Sequence, residues 1–255
     1  MEENYDLAES QFDSLWSISN KIEGIFLFAG LEAKYKLEKI EQITEILKTQ
    51  GEDMLQDICA KQILAKIEPC DGISINDVEN KDLQIELIKM YVDDQAVRDN
   101  LMENIIAKYN IDLTEITQDA VTVVDERNRN RLKEIFEEHG FPTRRLVGKE
   151  AMQGIFLIIQ HSDRDKEWQK SQLPNIEKAV KNRDMDSQSY AYLYDRIKIN
   201  SGEKQLYGTQ FAKVDPINKT VELAPTEDME NLDKRRMELG MMPIDIYIGF
   251  VFKNL

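Results

Sequence analysis

The chain has 255 residues and a formal net charge of −15, from 48 acidic and 33 basic side chains. Because 42% of the residues are hydrophobic, the chain can bury a sizeable core and is not a disordered acidic tail. The excess of negative charge disfavours non-specific binding to nucleic acid or to anionic lipid, since like charges repel. An acidic N-terminus and short apolar runs predict neither a signal peptide nor a membrane span, which indicates a soluble, cytoplasmic protein.

The negative charge is concentrated in the first third of the chain. Residues 1–82 carry 18 acidic and 8 basic side chains, whereas residues 83–255 carry 30 and 25. This asymmetry predicts two parts with different surfaces, an acidic helical N-terminal segment (1–82) and a second domain (83–255). The first part is either a helical hairpin that covers the main core or a module that binds a protein partner, and its amphipathic pattern is compatible with both.

Most of the chain has the apolar periodicity of helices. The predicted helices cover 31–47, 54–64, 83–105, 128–139, 149–160, 189–199 and 230–239, with a polar helix through Trp168 and Leu173. The segment 112–125 is less regular. In Lys149–Gln160 the apolar residues go round nearly the whole helix, which is typical of a helix in the middle of a core.

The pattern changes after Gly202. Gln205–Phe211 and Thr220–Leu223 are rich in residues that favour strands, and the turn residues between them predict a hairpin. Ile244–Phe252 reads as a last strand. The sequence therefore predicts a mainly α (α+β) fold, with a helical core and a small antiparallel sheet near the C-terminus.

Cys59 and Cys70 are the two cysteines of the chain. Two thiols without a matching pair of histidines do not make a zinc site. A disulfide framework is typical of small secreted domains, which this chain does not resemble in size or composition. We therefore expect two buried or idle thiols.

Several short motifs occur together, in a fixed order, in the second domain. They are Asp94-Gln95 with Arg98, Gly140-Phe-Pro-Thr143, Val147-Gly148, Gln160-His161-Ser162-Asp163, Leu193-Tyr-Asp195-Arg196, Gly202, Gln205-Leu-Tyr207-Gly-Thr209-Gln210, and Asp233 with Arg236 and Gly240. In these motifs the chain resembles a bacterial family known only as a domain of unknown function, over residues of about 83–250. The resemblance implies in which part of the chain a site lies. It implies no activity, because no reaction is established for the family as a whole.

His161 is the first candidate for a catalytic residue. Imidazole titrates near neutrality and is the natural general acid or base. Asp163 follows it closely and is predicted to orient it, and Asp195 is a further candidate carboxylate. The other histidine, His139, lies at a predicted helix end, where a cationic ring suits the helix dipole. An internal hydrogen-bond network that closes the core explains the same polar residues equally well.

Other polar residues are candidates for binding a substrate. Arg196 has the fork of donors that clamps a carboxylate or phosphate, although an ion pair is the alternative. The predicted substrate-binding residues are Arg196, Gln205, Tyr207, Gln210, Gln160, Gln95 and Arg98, with Asp94 completing the polar cluster. A strand face with Gln, Tyr and Thr suits a polar small molecule or a peptide backbone, but it also suits solvent.

Several chemistries have no motif in this chain. The sequence has no phosphate-binding or dinucleotide-binding glycine loop, no zinc helix of the HExxH type and no GxSxG elbow. We therefore expect neither a cofactor nor a metal. Two hypotheses follow: a cofactor-independent hydrolase or transferase that uses His161 as acid or base, or a module that binds a ligand or protein without catalysis.

Overall fold

The computed structural model describes residues 5–18, 22, 24–59, 63–64, 66–70, 78–112, 114, 116, 119–215 and 220–253. The helices are α1 (Tyr5–Ile18), α2 (Gly24–Lys36), α3 (Ile40–Lys48), α4 (Glu52–Cys59), α5 (Lys81–Ala96), α6 (Glu103–Tyr109), α7 (Val121–His139), α8 (Arg144–Val147), α9 (Lys149–Gln160), α10 (Lys166–Ser171), α11 (Leu173–Lys181), α12 (Ser187–Asn200), α13 (Leu232–Glu238) and α14 (Ile244–Lys253). The strands β1 (Phe211–Asp215) and β2 (Thr220–Leu223) form an antiparallel pair. The structure confirms the predicted mainly α fold with a small sheet near the C-terminus.

The contacts divide the chain into two compact units, Met1–Asp77 and Val78–Leu255. We call them the N-terminal unit and the C-terminal unit. The boundary between them lies five residues before the predicted one. No described helix of either unit is long and apolar enough to cross a membrane.

The N-terminal unit has its own apolar core, which the helices α1 to α4 supply. Its fully enclosed side chains include Leu27, Leu31, Ile43, Leu47 and Ile58. Lys34 is buried in this unit, and its ammonium group lies 3.1 Å from Glu9 Oε1 and 2.7 Å from Asp13 Oδ1. A buried ammonium needs such partners, since an unpaired charge is costly away from water.

The expectation of two unpaired thiols was wrong. Cys59 and Cys70 are joined by a disulfide, and the described residues hold no other cysteine. Both side chains are buried in the core of the N-terminal unit. The sequence spacing of eleven carried no signal for this bond, because it depends on how α4 and the following turn bring the two residues together.

Two of the predicted helices are each interrupted by a residue with a positive φ angle. Glu38, with φ 59°, separates α2 from α3, and Asp99, with φ 58°, lies between α5 and α6. A left-handed residue ends a right-handed helix, although the apolar spacing continues on both sides of it. The predicted helix 54–64 ends at Cys59, and its residues 60–62 lie outside the described part of the chain.

Helix α9 lies at the centre of the C-terminal unit and has the predicted bounds. Its buried side chains are Ala151, Met152, Ile155, Phe156, Ile158 and Ile159. Gly154 allows the close approach of α5, since a Cβ atom at this position would lie 2.7 Å from Tyr91 Cβ. Helix α7 packs against both α5 and α9 and begins already at Val121, in the segment predicted to be irregular.

Two of the three predicted strands differ from the structure. Residues 205–210, which we call the 205–210 turn, bend and form only an isolated bridge from Gln205 to Thr226, so that β1 begins only at Phe211. Ile244–Phe252 lies in α14, not in a strand. The β-branched and aromatic residues of this run favour a strand, but the Asp233 carboxylate accepts a hydrogen bond from the Ile244 N–H at 2.7 Å, which caps the first turn of a helix.

Candidate functional site

The centre of the candidate site is the carboxylate of Asp94, in the last turn of α5. The Asp94 residue is only 1% exposed. Its Oδ1 lies 2.8 Å from His161 Nδ1, and its Oδ2 accepts a hydrogen bond from Gln95 Nε2 at 2.8 Å. This contact joins a ring nitrogen to a carboxylate oxygen, and it is made by the tautomer of His161 that carries a proton on Nδ1.

The position of His161 is fixed by the end of α9. Its backbone N–H donates to Leu157 O at 2.9 Å, which continues the helical pattern by one residue. The Nε2 atom hydrogen-bonds to no residue that the structure describes, and it is not among the enclosed polar atoms that lack a partner. His161 therefore presents one nitrogen to Asp94 and the other to solvent.

Arg98 also holds the carboxylate of Asp94, at the same oxygen as His161. Its Nη1 atom donates to Asp94 O at 2.8 Å and to Asp94 Oδ1 at 3.2 Å. Its Nη2 atom donates to Asp125 Oδ1 at 2.6 Å, which ties the end of α5 to α7. Gln95 is held in turn by Asn100, whose Nδ2 atom donates to its side-chain oxygen at 2.8 Å. These contacts fix the acceptor of the His161 proton in one orientation.

Asp163 forms a second polar group close to His161. It accepts hydrogen bonds from Arg196 Nε at 3.0 Å and Nη2 at 2.6 Å, and from Asn200 Nδ2 at 2.8 Å. Burial raises the pKa of the Asp163 carboxyl, but the hydrogen bonds and charge of Arg196, with smaller effects of Gln169 and His161, bring that pKa below its ordinary value. Asp163 is thus an ionised anchor for the fork of Arg196.

Asp195 and the predicted binding residues of the 205–210 turn form a group of their own. Asp195 is fully buried, and its carboxylate accepts hydrogen bonds from the N–H groups of Leu206, Tyr207 and Thr209 at 2.8 to 3.0 Å. The side chain of Gln205 donates to Gln210 O and accepts from the Gln210 N–H, both at 2.9 Å. Among the described contacts, none joins this turn to His161 or Asp94. These residues shape the backbone of the turn.

The aromatic side chain of Tyr207 packs against Tyr190 and Tyr194, with ring centroids 6.5 and 5.9 Å away. Burial raises the pKa of Tyr207 to about 12, with smaller contributions from Tyr190 and Asp195. Its hydroxyl therefore stays protonated near neutral pH. Arg236, which is 1% exposed, supports the same turn, because its Nη1 atom donates to Tyr207 O at 2.6 Å.

Gln160 lies at the last turn of α9, directly before His161. Its backbone oxygen accepts a hydrogen bond from Gln169 Nε2 at 2.9 Å. Its own amide has no hydrogen-bond partner in the described residues and is half-buried. The structure thus brings Gln95, Arg98, Gln160 and His161 into one region, with Asp163 and Arg196 beside them.

Sequence reasoning placed Asp94 at the edge of the site and missed Asp125. The partner of His161 is 67 residues away in sequence, and the neighbouring Asp163 was the simpler choice. Asp125 fell in the segment that showed no clear periodicity. A usable signal was present, since Asp125, Arg129 and Lys133 recur at intervals of four and form one charged face of a helix.

Asp94, Asp125 and His161 also offer three atoms of the kind that bind metal ions. One ligand atom from each lies within 4.8 Å of the others. The guanidinium of Arg98 already bridges the two carboxylates. A cation that belongs to the protein itself therefore offsets part of the negative charge of the two carboxylates.

A family model places this region in a known family. The model described as "Family of unknown function (DUF6624)" matches residues 81–254, and the chain belongs to this family. No curated protein and no solved structure matches the chain. The matched span contains Asp94, Arg98, Asp125, His161 and Asp163, so the candidate site lies wholly within the family domain.

Proposed function

We propose that the C-terminal unit is a cofactor-independent hydrolase or transferase in which His161 is the general acid and base. The observation that carries this proposal is the buried carboxylate of Asp94 at 2.8 Å from His161 Nδ1, with Nε2 left open. A carboxylate on one ring nitrogen fixes the tautomer that leaves a lone pair on the other. This is the arrangement that a general base requires.

The chemistry follows from the two ring nitrogens. His161 Nε2 takes a proton from a water molecule or a hydroxyl group as that oxygen attacks the substrate. The imidazolium that forms is stabilised by the negative charge of the Asp94 carboxylate. The same Nε2 atom then gives the proton to the leaving group. Proton transfer by a positioned side chain contributes about a hundredfold to ten-thousandfold in rate.

The surrounding residues have positioning roles in this proposal. Arg98 and Gln95 hold the Asp94 carboxylate, and Asp163 with Arg196 holds the segment that follows His161. Asp195 and Gln205 shape the 205–210 turn. The predicted contacts of Arg196, Tyr207 and Gln210 with a substrate remain predictions, as does a small-molecule or peptide substrate.

The test is the hydrolysis of p-nitrophenyl acetate, an activated ester that reports on a reactive imidazole. We expect the His161→Gln variant to lose about a hundredfold or more of the rate. Gln is chosen because its amide can still donate to Asp94, so that no buried carboxylate is left without a partner. The Asp94→Asn variant is expected to lose about tenfold or more, since it removes the group that fixes the tautomer.

The chain provides a matched control in His139, its other histidine, which is exposed at the end of α7. The variant His139→Gln should hydrolyse the ester at the rate of the unmodified protein. Equal rates for the unmodified protein and His161→Gln, with both folded, would contradict the proposal.

A non-catalytic binding module is the second candidate. The observation that favours it is the internal pairing of the polar residues. The Nη1 and Nη2 atoms of Arg98 and the Nε and Nη2 atoms of Arg196 donate to the protein's own carboxylates. In that case His161→Gln lowers the free energy of unfolding without changing ester hydrolysis. Protein binding by residues 1–82, a lack of nucleic-acid binding and a cytoplasmic location remain predictions. The disulfide between Cys59 and Cys70 disfavours a cytoplasmic location, since the cytosol keeps most thiols reduced.

A further inference from the structure

Arg129, on α7, is a largely buried cation that has no hydrogen-bond acceptor among the described residues. Its side chain is 10% exposed, and its Nε atom is enclosed without a hydrogen-bond partner. The nearest carboxylate oxygen, Asp165 Oδ2, lies 3.9 Å from Nε, which is too far for a hydrogen bond. Within the described residues, no hydrogen bond from Arg129 Nη1 or Nη2 is found either.

Asp165 is already engaged by other donors. Its Oδ2 atom accepts from Lys133 Nζ at 2.7 Å, and its Oδ1 atom accepts from the Trp168 N–H at 3.3 Å. These bonds fix Asp165 as the cap of α10, with a cation of its own. The fork of Arg129 therefore lacks an acceptor that matches it, although a charge at such a burial ordinarily has one.

Arg129 shares a helix face with Asp125, which is close to the proposed catalytic pair of Asp94 and His161. It is one helical turn beyond Asp125 on the same face of α7. Asp125 in turn offers an oxygen within 4.8 Å of a ring nitrogen of His161. Asp165, the carboxylate nearest to Arg129, is four residues after His161. The donors of Arg129 that lack an acceptor and the open Nε2 atom of His161 thus belong to one region between α7 and the segment 161–165.

We propose that Arg129 binds an anionic oxygen group of the substrate, a phosphate or a carboxylate, beside His161. The planar guanidinium carries parallel N–H donors that match two oxygens of such a group. The Nη1 and Nη2 atoms make this contact, since they have no acceptor among the described residues and, unlike Nε, are not enclosed. The inference rests on the proposed function, because it assigns the substrate class of the same site.

The test is a titration of the protein with inorganic phosphate and, separately, with acetate. The Nε–H signal of Arg129 in ¹H–¹⁵N spectra is the readout, and the spectrum of Arg129→Lys assigns it. We expect a saturable shift with at least one of the two anions, and the anion that binds more tightly identifies the group. The variant Arg129→Gln should bind that anion about tenfold or more weakly, the effect of removing hydrogen bonds from a charged donor.

The matched control is Arg127→Gln. Arg127 is on the same helix, but it is more exposed and pairs with Asp93 and Asp119 at 2.9 and 3.3 Å. This variant should bind the anion as the unmodified protein does. The inference is overturned if neither anion shifts the Arg129 signal saturably, or if Arg129→Gln binds as tightly as the unmodified protein. The first criterion needs only the Arg129→Lys spectrum for the assignment, so it stands even if Arg129→Gln does not fold.

Failure of the inference and failure of the proposed function give different results. Anion binding does not require proton transfer, so His161→Gln should still bind the anion through Arg129. Anion binding without ester hydrolysis would contradict the proposed function and leave the Arg129 site intact. Ester hydrolysis that depends on His161, without anion binding, would contradict the Arg129 site alone.

Discussion

Asp195 is the residue whose predicted role changes most once its contacts are known. A carboxylate at the end of a helix next to Arg196 is a reasonable catalytic candidate in the sequence. In the structure both of its oxygens accept hydrogen bonds from backbone N–H groups of the 206–209 turn, and the Thr209 hydroxyl donates to Oδ2 at 3.0 Å. With its acceptors occupied, Asp195 organises a turn and does not present a free oxygen to a substrate.

The variant Asp195→Asn tests this role. It replaces one acceptor oxygen by an NH₂ donor that faces backbone N–H groups, so we expect a loss of about 2 to 3 kcal/mol in the free energy of unfolding. Urea denaturation measures the loss. Asp186→Asn, at the exposed start of the same helix, is the control and should change stability by less than about 0.5 kcal/mol. Equal stabilities for Asp195→Asn and Asp186→Asn would contradict the structural role of Asp195.

At the scale of elements, the site depends on how closely α5 approaches α9, because Asp94 and His161 lie at the ends of these two helices. Gly154 is a point of close approach. A Cβ atom there would lie 2.7 Å from Tyr91 Cβ and 3.3 Å from Leu87 O. A methyl group at this position forces the helices apart.

We therefore expect Gly154→Ala to lower the free energy of unfolding by about 1 to 3 kcal/mol, the usual effect of overpacking. It should also lower the rate of ester hydrolysis, since the two helices carry the proposed catalytic pair. The control is Gly249→Ala in α14, where a Cβ atom would meet no other atom within 4 Å and the substitution favours the helix. A Gly154→Ala variant as stable as the Gly249→Ala variant would contradict the close packing of α5 and α9.

The elements show which parts of the fold the sequence could predict. Helix α9 was predicted with its bounds because its apolar residues and the preceding Gly148 both act locally. The run 244–252 was mistaken for a strand because the deciding contact comes from Asp233, on another element. The same distinction holds in the site. His161 was found from its own chemistry, whereas Asp94 became its partner only through the packing of α5 on α9.

At the scale of the whole molecule, the sequence separates into parts with different properties. The N-terminal unit holds most of the excess negative charge and the disulfide, whereas the C-terminal unit holds the family domain and the candidate site. The net charge of −15 therefore says little about the site itself. Its charges alternate in sign, with Arg98, Arg129 and Lys133 against Asp94, Asp125 and Asp165, so an anionic substrate meets no net repulsion from these six residues.

The central claim is that His161 carries its proton on Nδ1 and leaves Nε2 free to accept one. The ¹⁵N shifts of the imidazole nitrogens measure this directly at a pH of about 9, where an ordinary imidazole is neutral. With two histidines in the chain, the variant His139→Gln leaves His161 as the source of the signal. We expect a protonated Nδ1 and an unprotonated Nε2, and a loss of this preference in Asp94→Asn. A proton on Nε2 in the unmodified protein would contradict it.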